Sequence, residues 1–154
     1  MSKLMVVFDF DRTIIDGDSD RWLITHMGLT HLFDQLVSAM PWNSLMNRMM
    51  EELHFQGKTI EDVGECLKQM PLHPKIISAL KFAHSMGCDL RIVSDANQFF
   101  IKTILEQHHV AGLFTDIITN PSYVDDEGRL RIVPYHDIKL APHGCSLCPS
   151  NMCK

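Results

Sequence analysis

The sequence predicts an α/β domain, in which the strands of a parallel sheet alternate with helices. Two apolar runs carry this prediction. Met5–Phe8 leads directly into two aspartates, Asp9 and Asp11, and the run over residues 88–93 ends on the hydroxyl of Ser94. Strands that are apolar on both faces are typical of buried parallel sheets, and ligands of open α/β sheets bind just beyond the carboxyl ends of such strands. Two carboxylates at that position cannot belong to the core, so they require a cation or a reaction.

About eighty residues separate the two runs, and their apolar residues recur at helical spacing. This is far more chain than one crossover helix needs. Asp18 or Ser19 can cap a first helix, which ends before Gly28. A second helix is expected over residues 30–40, where Pro41 stops it.

Two further helices are predicted before the second strand. Residues 59–62 form an approximate capping box that opens the fourth helix. The third helix ends at Gly57 and carries an apolar stripe at helical spacing, made of Leu45, Met46, Met49, Met50 and Leu53.

From Pro74 onward the alternation of helices and strands resumes. Pro74 suits the first turn of a helix, and Gly87 ends it. The remaining expected elements are a strand over residues 88–93, a helix over residues 99–107, a short strand over residues 116–119, and a hairpin whose turn is residues 126–128.

Composition limits the possible partners. The 154 residues, 45% hydrophobic and 21% charged, are typical of one globular domain. A net charge of −5 disfavours nucleic acid and anionic membrane as partners. It does not oppose an anionic substrate if a divalent cation screens the charge. No stretch is long enough to span a membrane, the N-terminal apolar run does not suit a signal peptide, and five cysteines suggest no disulfide framework. We therefore expect a reduced, cytoplasmic protein.

Several motifs together resemble the haloacid dehalogenase (HAD) phosphatases. They are Asp-x-Asp-x-Thr at residues 9–13, Ser-Asp-Ala-Asn at 94–97, Asn-Pro-Ser at 120–122 and Cys-Pro-x-Asn-Met-Cys-Lys at 148–154. The combination is most similar to the phosphoethanolamine/phosphocholine phosphatase subfamily, whose plant relatives are linked to pyrophosphate and other small phosphates. The resemblance implies a HAD-like Rossmannoid core and a Mg²⁺-dependent phosphatase that acts on a small phosphorylated metabolite.

The resemblance also implies a role for each matching residue. Asp9 would be the nucleophile that forms an aspartyl-phosphate, and Asp11 the general acid/base. Both would hold Mg²⁺, Asp9 through its carboxylate and Asp11 through its backbone carbonyl. Ser94 and Lys154 would bind the phosphoryl group, although Ser94 could instead simply cap the next helix.

Asp20 and Asp95 carry negative charge close to an expected phosphate site. The resemblance implies that they contact the substrate, and a cationic amine head group would supply the compensating charge. For Asp20, a favourable first-turn helix acid is the other interpretation.

The helices inserted after the first motif match the family's cap, which folds over the active site. The expected division is a cap over residues 16–71 and a core formed by residues 1–15 and 72–154. Trp22 and Trp42 both fall within the cap. They either belong to its own core or form an adaptable apolar roof that faces a quaternary ammonium.

The chain departs from the family after residue 154. HAD phosphatases need a fourth motif, an acidic loop that completes the Mg²⁺ site, and Asp125 and Asp126 lie in the predicted hairpin, so they do not replace it. We therefore expect the chain to be the first half to two thirds of an enzyme. Without a partner strand, Met5–Phe8 is expected to form an exposed sheet edge through which the chain self-associates.

Two other functions stay open at this point. One is an inactive remnant with a binding or regulatory role. The other is a small zinc-binding interaction module, formed by Cys145, Cys148 and Cys153 with His143 or His136.

Overall fold

The computed structural model describes residues 2–135, which contain a three-stranded parallel sheet. Its strands are β1 (Met5–Phe8), β2 (Asp89–Asn97) and β3 (Phe114–Asn120), paired in the order β1–β2–β3. Phe8 lies opposite Ile92, so the carboxyl ends of β1 and β2 reach the same edge of the sheet. The predicted α/β class is confirmed, and this shared edge is where the candidate site lies.

Five helices lie between β1 and β2: the four that the sequence predicts for the inserted segment and the one that it predicts from Pro74. The helices of the described residues are α1 (Ser19–His26), α2 (Thr30–Leu36), α3 (Trp42–Phe55), α4 (Ile60–Lys68), α5 (Pro74–Ser85) and α6 (Gln98–Gln107), with a short 3₁₀ turn at Ala111–Leu113. A separate antiparallel hairpin follows β3, formed by β4 (Ser122–Val124) and β5 (Leu130–Ile132).

Helix α3 supplies much of the buried apolar interior of the inserted helices. The five apolar residues of its predicted stripe are all buried, with exposures of 3% or less. Helix α4 begins with a true capping box, in which Thr59 and Asp62 each accept a hydrogen bond from the other's backbone N–H. Both sequence predictions are confirmed.

Three predicted elements have wrong boundaries. Helix α2 ends at Leu36 rather than residue 40, and residues 37–39 form a turn that leads the chain toward α3. Strand β2 continues past residue 93 to Asn97, since pairing with β3 resumes at Asn120 after an irregularity. Strand β3 covers Phe114–Asn120 rather than residues 116–119, because it pairs with β2 from Leu90 to Asn97 and so extends at both ends.

Across residues 2–135, no helix combines the length and the apolar character needed to cross a bilayer.

Strand β1 pairs only with β2 among the described residues. Two of its apolar side chains, which point to the same face of the sheet, are accessible: Met5 is 55% exposed and Val7 49% exposed. Apolar edges that lack charges or prolines are templates for pairing with another chain. We propose that this edge mediates self-association.

Val7→Lys should therefore weaken self-association, by roughly tenfold in the dissociation constant, because a lysine on an edge strand opposes edge-to-edge pairing. Sedimentation velocity over a series of concentrations measures the effect. Val37→Lys, at a 37% exposed valine outside the sheet, is the matched control. Equal weakening by both substitutions would show that net charge, and not the β1 edge, governs association.

Candidate active site

A cavity of about 410 Å³ opens at the carboxyl edge of the parallel sheet. Its floor comes from the ends of the three strands, through Asp9, Asp11, Ser94, Asp95, Ala96 and Asn120. Its walls come from Asp20 on α1, from residues 41–44 and Asn47 at the start of α3, and from Ile132 and Pro134 around the end of β5. The cavity therefore lies between the sheet, the inserted helices and the hairpin.

Five of the six side chains that the sequence singles out for binding or catalysis line this one cavity. They are Asp9, Asp11, Asp20, Ser94 and Asp95. Lys154, like the cysteine and histidine residues of the proposed zinc module, lies outside the described residues. Within residues 2–135, no group of three or more His, Cys, Asp or Glu side chains is arranged to hold a metal ion.

The turn after β1 orients the two motif aspartates. Phe10, between them, is fully buried, and its carbonyl accepts hydrogen bonds from the backbone of Thr13 and Ile14. Burial of Phe10 directs the neighbouring Asp9 out of the core, and the Phe10 N–H donates to Asp9 Oδ1 at 2.7 Å. Arg12 takes a left-handed conformation, with φ of 57°, which closes the turn.

Asp11 lies deeper than Asp9. Its Oδ1 accepts a hydrogen bond from the Ser19 N–H at 2.9 Å, which ties the turn to the start of α1. Burial raises the pKa of Asp11 to about 6; hydrogen bonds from Ser19 oppose the rise, while the charges of Asp18 and Asp9 add to it. A carboxyl group with a pKa near neutrality is suited to both giving and taking a proton.

Asp20 is almost completely buried in the same cluster, with 8% of its surface exposed. Its pKa is raised to about 7, first by burial and then by the neighbouring charges of Asp11 and Asp18, against a hydrogen bond from the Arg21 N–H. Asp20 lies in the first turn of α1, as the alternative interpretation expects, but a first-turn helix acid does not by itself account for this burial. The repulsion among these neighbouring carboxylates favours the binding of a proton or a cation.

None of the described residues that line the cavity is Lys, Arg or His. Arg12 is close in sequence, but its guanidinium forms an ion pair with Asp18 at 2.8 Å and is largely exposed. The described part of the site is therefore acidic, and an anion could enter it only together with a cation.

Ser94 sits at the end of the paired part of β2 and is buried, with 1% exposure. Its Oγ accepts from the Ala96 N–H at 3.1 Å. The alternative that Ser94 caps helix α6 is wrong, because Asn97 is the cap and accepts from the Phe100 N–H. Ser94 is thus a floor residue of the cavity.

Asn120 holds the floor together from β3. Its Nδ2 donates to the carbonyls of Asp95 and Ala96, at 3.0 and 2.9 Å, and its Oδ1 accepts from the Tyr135 N–H at 3.0 Å. The sequence marks Asn120 only as part of a strand-end motif, but the structure shows that it fixes the loop carrying Asp95.

The two tryptophans have different positions. Trp22 is partly buried and packs against the hydrophobic core, and its Nε1 donates to the Cys66 carbonyl at 3.0 Å. Trp42 lines the cavity and packs edge-on against Phe33, with ring centroids 5.9 Å apart. Sequence reasoning left this choice open and did not identify Asn43, Ser44 or Asn47, although these residues line the same wall.

We expect the metal-free protein to lose stability as pH rises from about 4 to about 7. The pKa values of Asp11 and Asp20 are raised above 3.8, to about 6 and about 7, so the folded state binds more protons than the unfolded state in this window. Asp20→Asn should relieve up to about 4 kcal/mol of this penalty near pH 8, at about 1.4 kcal/mol per pKa unit. Thermal melts with a chelator, at pH values across the window, measure the effect.

The control for this prediction is Asp62→Asn. The pKa of Asp62 is lowered by hydrogen bonds from Thr59, so its stabilisation is present near neutrality and is lost only below its ordinary value of 3.8. Asp62→Asn should therefore destabilise near neutrality and leave the slope of stability between about pH 4 and pH 7 unchanged. A melting temperature of Asp20→Asn that depends on pH as steeply as that of the wild type would contradict the prediction.

Comparison with known proteins agrees with this geometry. Residues 4–154 match the family described as "Putative Phosphatase". The "Thiamine phosphate phosphatase-like protein" of Arabidopsis thaliana is 59% identical over 154 residues, which is 100% of this chain and 63% of that protein. "Inorganic pyrophosphatase 2" of Arabidopsis thaliana is 56% identical over 153 residues, which is 99% of this chain and 55% of that protein.

A solved structure shares the fold. A substrate-bound phosphoserine phosphatase complex superposes with a TM-score of 0.62 at 16% identity, over 87% of this chain and 64% of that one. At this identity the likeness concerns the fold alone. The chain spans less than two thirds of the length of each of the two curated relatives, 63% and 55%.

Proposed function

Because this chain belongs to that phosphatase family, within the HAD superfamily, we propose that it hydrolyses small phosphomonoesters through an aspartyl-phosphate on Asp9. One observation carries the proposal above all others. Asp9 and Asp11, which follow β1, and Ser94, which lies in β2, match the family's motifs and line the same cavity. That convergence provides a nucleophile, a proton donor and a hydroxyl at one place.

A divalent cation fits the residues present. The cavity combines several carboxylates with no basic side chain among its described lining, and Mg²⁺ is commonly bound by one or two carboxylates together with water and substrate phosphate. Asp9, through its carboxylate, and Asp11, through its backbone carbonyl, would hold the ion. When bound, it would neutralise the charge of the phosphoryl group.

The chemistry follows from the two aspartates. Asp9 attacks phosphorus, so that a bond from its carboxylate oxygen forms while the bond to the leaving oxygen breaks. Asp11 gives its proton to that leaving oxygen. Asp11 then accepts a proton from the water that attacks phosphorus, the bond to Asp9 breaks, and inorganic phosphate leaves. The pKa of Asp11, raised to about 6, supports both duties.

The acidic walls favour a substrate whose non-phosphate part is cationic, such as phosphocholine or phosphoethanolamine. Asp20 and Asp95 line the cavity, and Trp42 presents an aromatic ring to it, a combination that suits an ammonium group. A second candidate is pyrophosphate, because the wall that carries Trp42 is also the N-terminus of the 14-residue helix α3, which favours anions.

The proposal also includes a reducing cellular compartment for the protein. Cys66 and Cys88, the two cysteines among the described residues, are free thiols, which supports a reducing environment such as the cytoplasm.

The test is release of phosphate by the purified protein, with and without Mg²⁺. Phosphocholine, phosphoethanolamine, thiamine phosphate and pyrophosphate should be compared at equal concentration. We expect turnover that requires Mg²⁺ and prefers the cationic substrates. Preference for pyrophosphate would support the second candidate. No release from any of the four would leave the inactive remnant as the better interpretation, and stoichiometric zinc would favour the interaction module.

A further inference from the structure

The hairpin that closes one side of the cavity is attached to the core at its base. The Phe99 N–H at the start of α6 donates to Ser122 Oγ at 2.9 Å. The Val133 N–H donates to the Pro121 carbonyl at 2.9 Å, and Asn120 accepts from the Tyr135 N–H. These bonds fix where the hairpin leaves the sheet, but they do not set how closely its outer strand approaches α3.

Two side chains of α3 contact β5, and one of them bonds to its backbone. Asn47 of α3 donates from Nδ2 to the Ile132 carbonyl at 2.7 Å and accepts at Oδ1 from the Ile132 N–H, also at 2.7 Å. Both backbone groups of a buried strand residue are thus satisfied by one amide, 85 positions away in sequence. One turn further along α3, Glu51 forms an ion pair with Arg131 at 2.9 Å.

The residues held by this contact are part of the cavity wall. Asn47, Ile132 and Pro134 all line the cavity that contains Asp9. A shift of β5 away from α3 would therefore widen the cavity between α3 and the hairpin. The amide of asparagine is the group that fits here, since it offers one donor and one acceptor side by side.

We propose that Asn47 is a positioning residue: by pairing with the backbone of Ile132 it fixes the hairpin wall of the cavity and so sets how tightly the non-phosphate part of the substrate is held. The pairing acts on substrate binding rather than on phosphorus, because Asn47 bonds to the wall and not to Asp9 or Asp11. The inference rests on the proposed function for its kinetic consequence, while the contact itself can be tested without turnover.

The variants are Asn47→Ala and Asn47→Asp, with Glu51→Gln as the matched control. Alanine removes both bonds. Aspartate keeps the size and can still accept from the Ile132 N–H, but it cannot donate to the Ile132 carbonyl when ionised. Glu51→Gln removes only the partly exposed ion pair with Arg131, and such pairs contribute little.

Amide hydrogen exchange at Ile132 measures the contact directly. We expect exchange to rise at least about tenfold in Asn47→Ala, because loss of a local hydrogen bond lowers the cost of local opening. Glu51→Gln should leave it near the wild-type value. Unchanged exchange at Ile132 in Asn47→Ala would overturn the proposal.

Kinetics then separates positioning from a general loss of structure. We expect the KM of the preferred small substrate to rise about tenfold in Asn47→Ala, with kcat within about threefold, since the chemical groups stay in place. Asn47→Asp should not restore the wild-type KM. A mere loss of folded protein would lower kcat and leave KM unchanged, which would overturn the proposal. Absence of turnover in the wild type would defeat the proposed function, and exchange at Ile132 would then decide whether Asn47 holds the wall.

Discussion

Asp9→Asn should reduce turnover by at least about a thousandfold, the scale expected when a covalent nucleophile is removed. Asparagine has nearly the same size as aspartate, and its Oδ1 can still accept the Phe10 N–H that Asp9 accepts at 2.7 Å. The turn should therefore keep its shape while both the nucleophile and its charge are lost. Phosphate release measures turnover, and trapping with beryllofluoride or an acyl-phosphate reports on the nucleophile itself.

The matched control is Asp16→Asn. Asp16 is an exposed aspartate in the same turn and does not line the cavity, so its loss should change turnover by less than about twofold, as for most surface substitutions. Equal thermal stability of the wild type and Asp9→Asn would exclude unfolding as the cause. Appreciable turnover by Asp9→Asn would contradict the assignment of the nucleophile.

The elements that could be predicted from sequence are those with local signals. An uninterrupted apolar run predicts strand β1, and the capping box of Thr59 and Asp62 predicts the start of α4. The end of α2 and the length of β2 could not be predicted in this way. They depend on how the chain turns toward α3 and on pairing between Asn97 and Asn120, and such tertiary constraints override local preference.

The residues of the candidate site likewise differ in whether the sequence carries a local signal for them. Asp9, Asp11 and Ser94 could be found because parallel strands bring their carboxyl ends to one edge, so a strand-end acid or hydroxyl is a signal in itself. Asn47 and Ile132 carry no comparable local signal, since they meet only through the packing of α3 on the hairpin.

One pattern could have identified the α3 wall. Asn43, Asn47 and Glu51 recur every four residues beside the apolar stripe of α3, which places them along one line of the helix. A polar line next to a buried stripe indicates a contact with something other than solvent. In the structure the first two residues line the cavity, and Glu51 binds Arg131 of the hairpin.

Asp11→Asn should separate the two halves of the reaction. Asparagine can donate no proton to the leaving oxygen, so alkyl phosphates should lose about 10²- to 10⁴-fold in turnover, the usual contribution of general acid/base catalysis. An aryl phosphate such as p-nitrophenyl phosphate needs no such proton, and should still phosphorylate Asp9. Because the second half then lacks its base, we expect a burst of about one p-nitrophenol per active site, followed by slow turnover.

In the wild type, the rates of the two half-reactions should depend on pH in opposite directions. Since burial raises the pKa of Asp11 to about 6, transfer to an alkyl leaving group should slow as pH rises through that value, because the acid form is lost. Hydrolysis of the phosphoenzyme should slow as pH falls through it, because the base form is lost. Single-turnover measurements on both half-reactions resolve the two limbs, and Asp11→Asn should abolish both while Asp16→Asn retains them. If Asp11→Asn lost the burst with p-nitrophenyl phosphate as completely as it lost alkyl turnover, Asp11 would serve mainly to shape the turn and position a cation, and proton transfer would have to be assigned to another group.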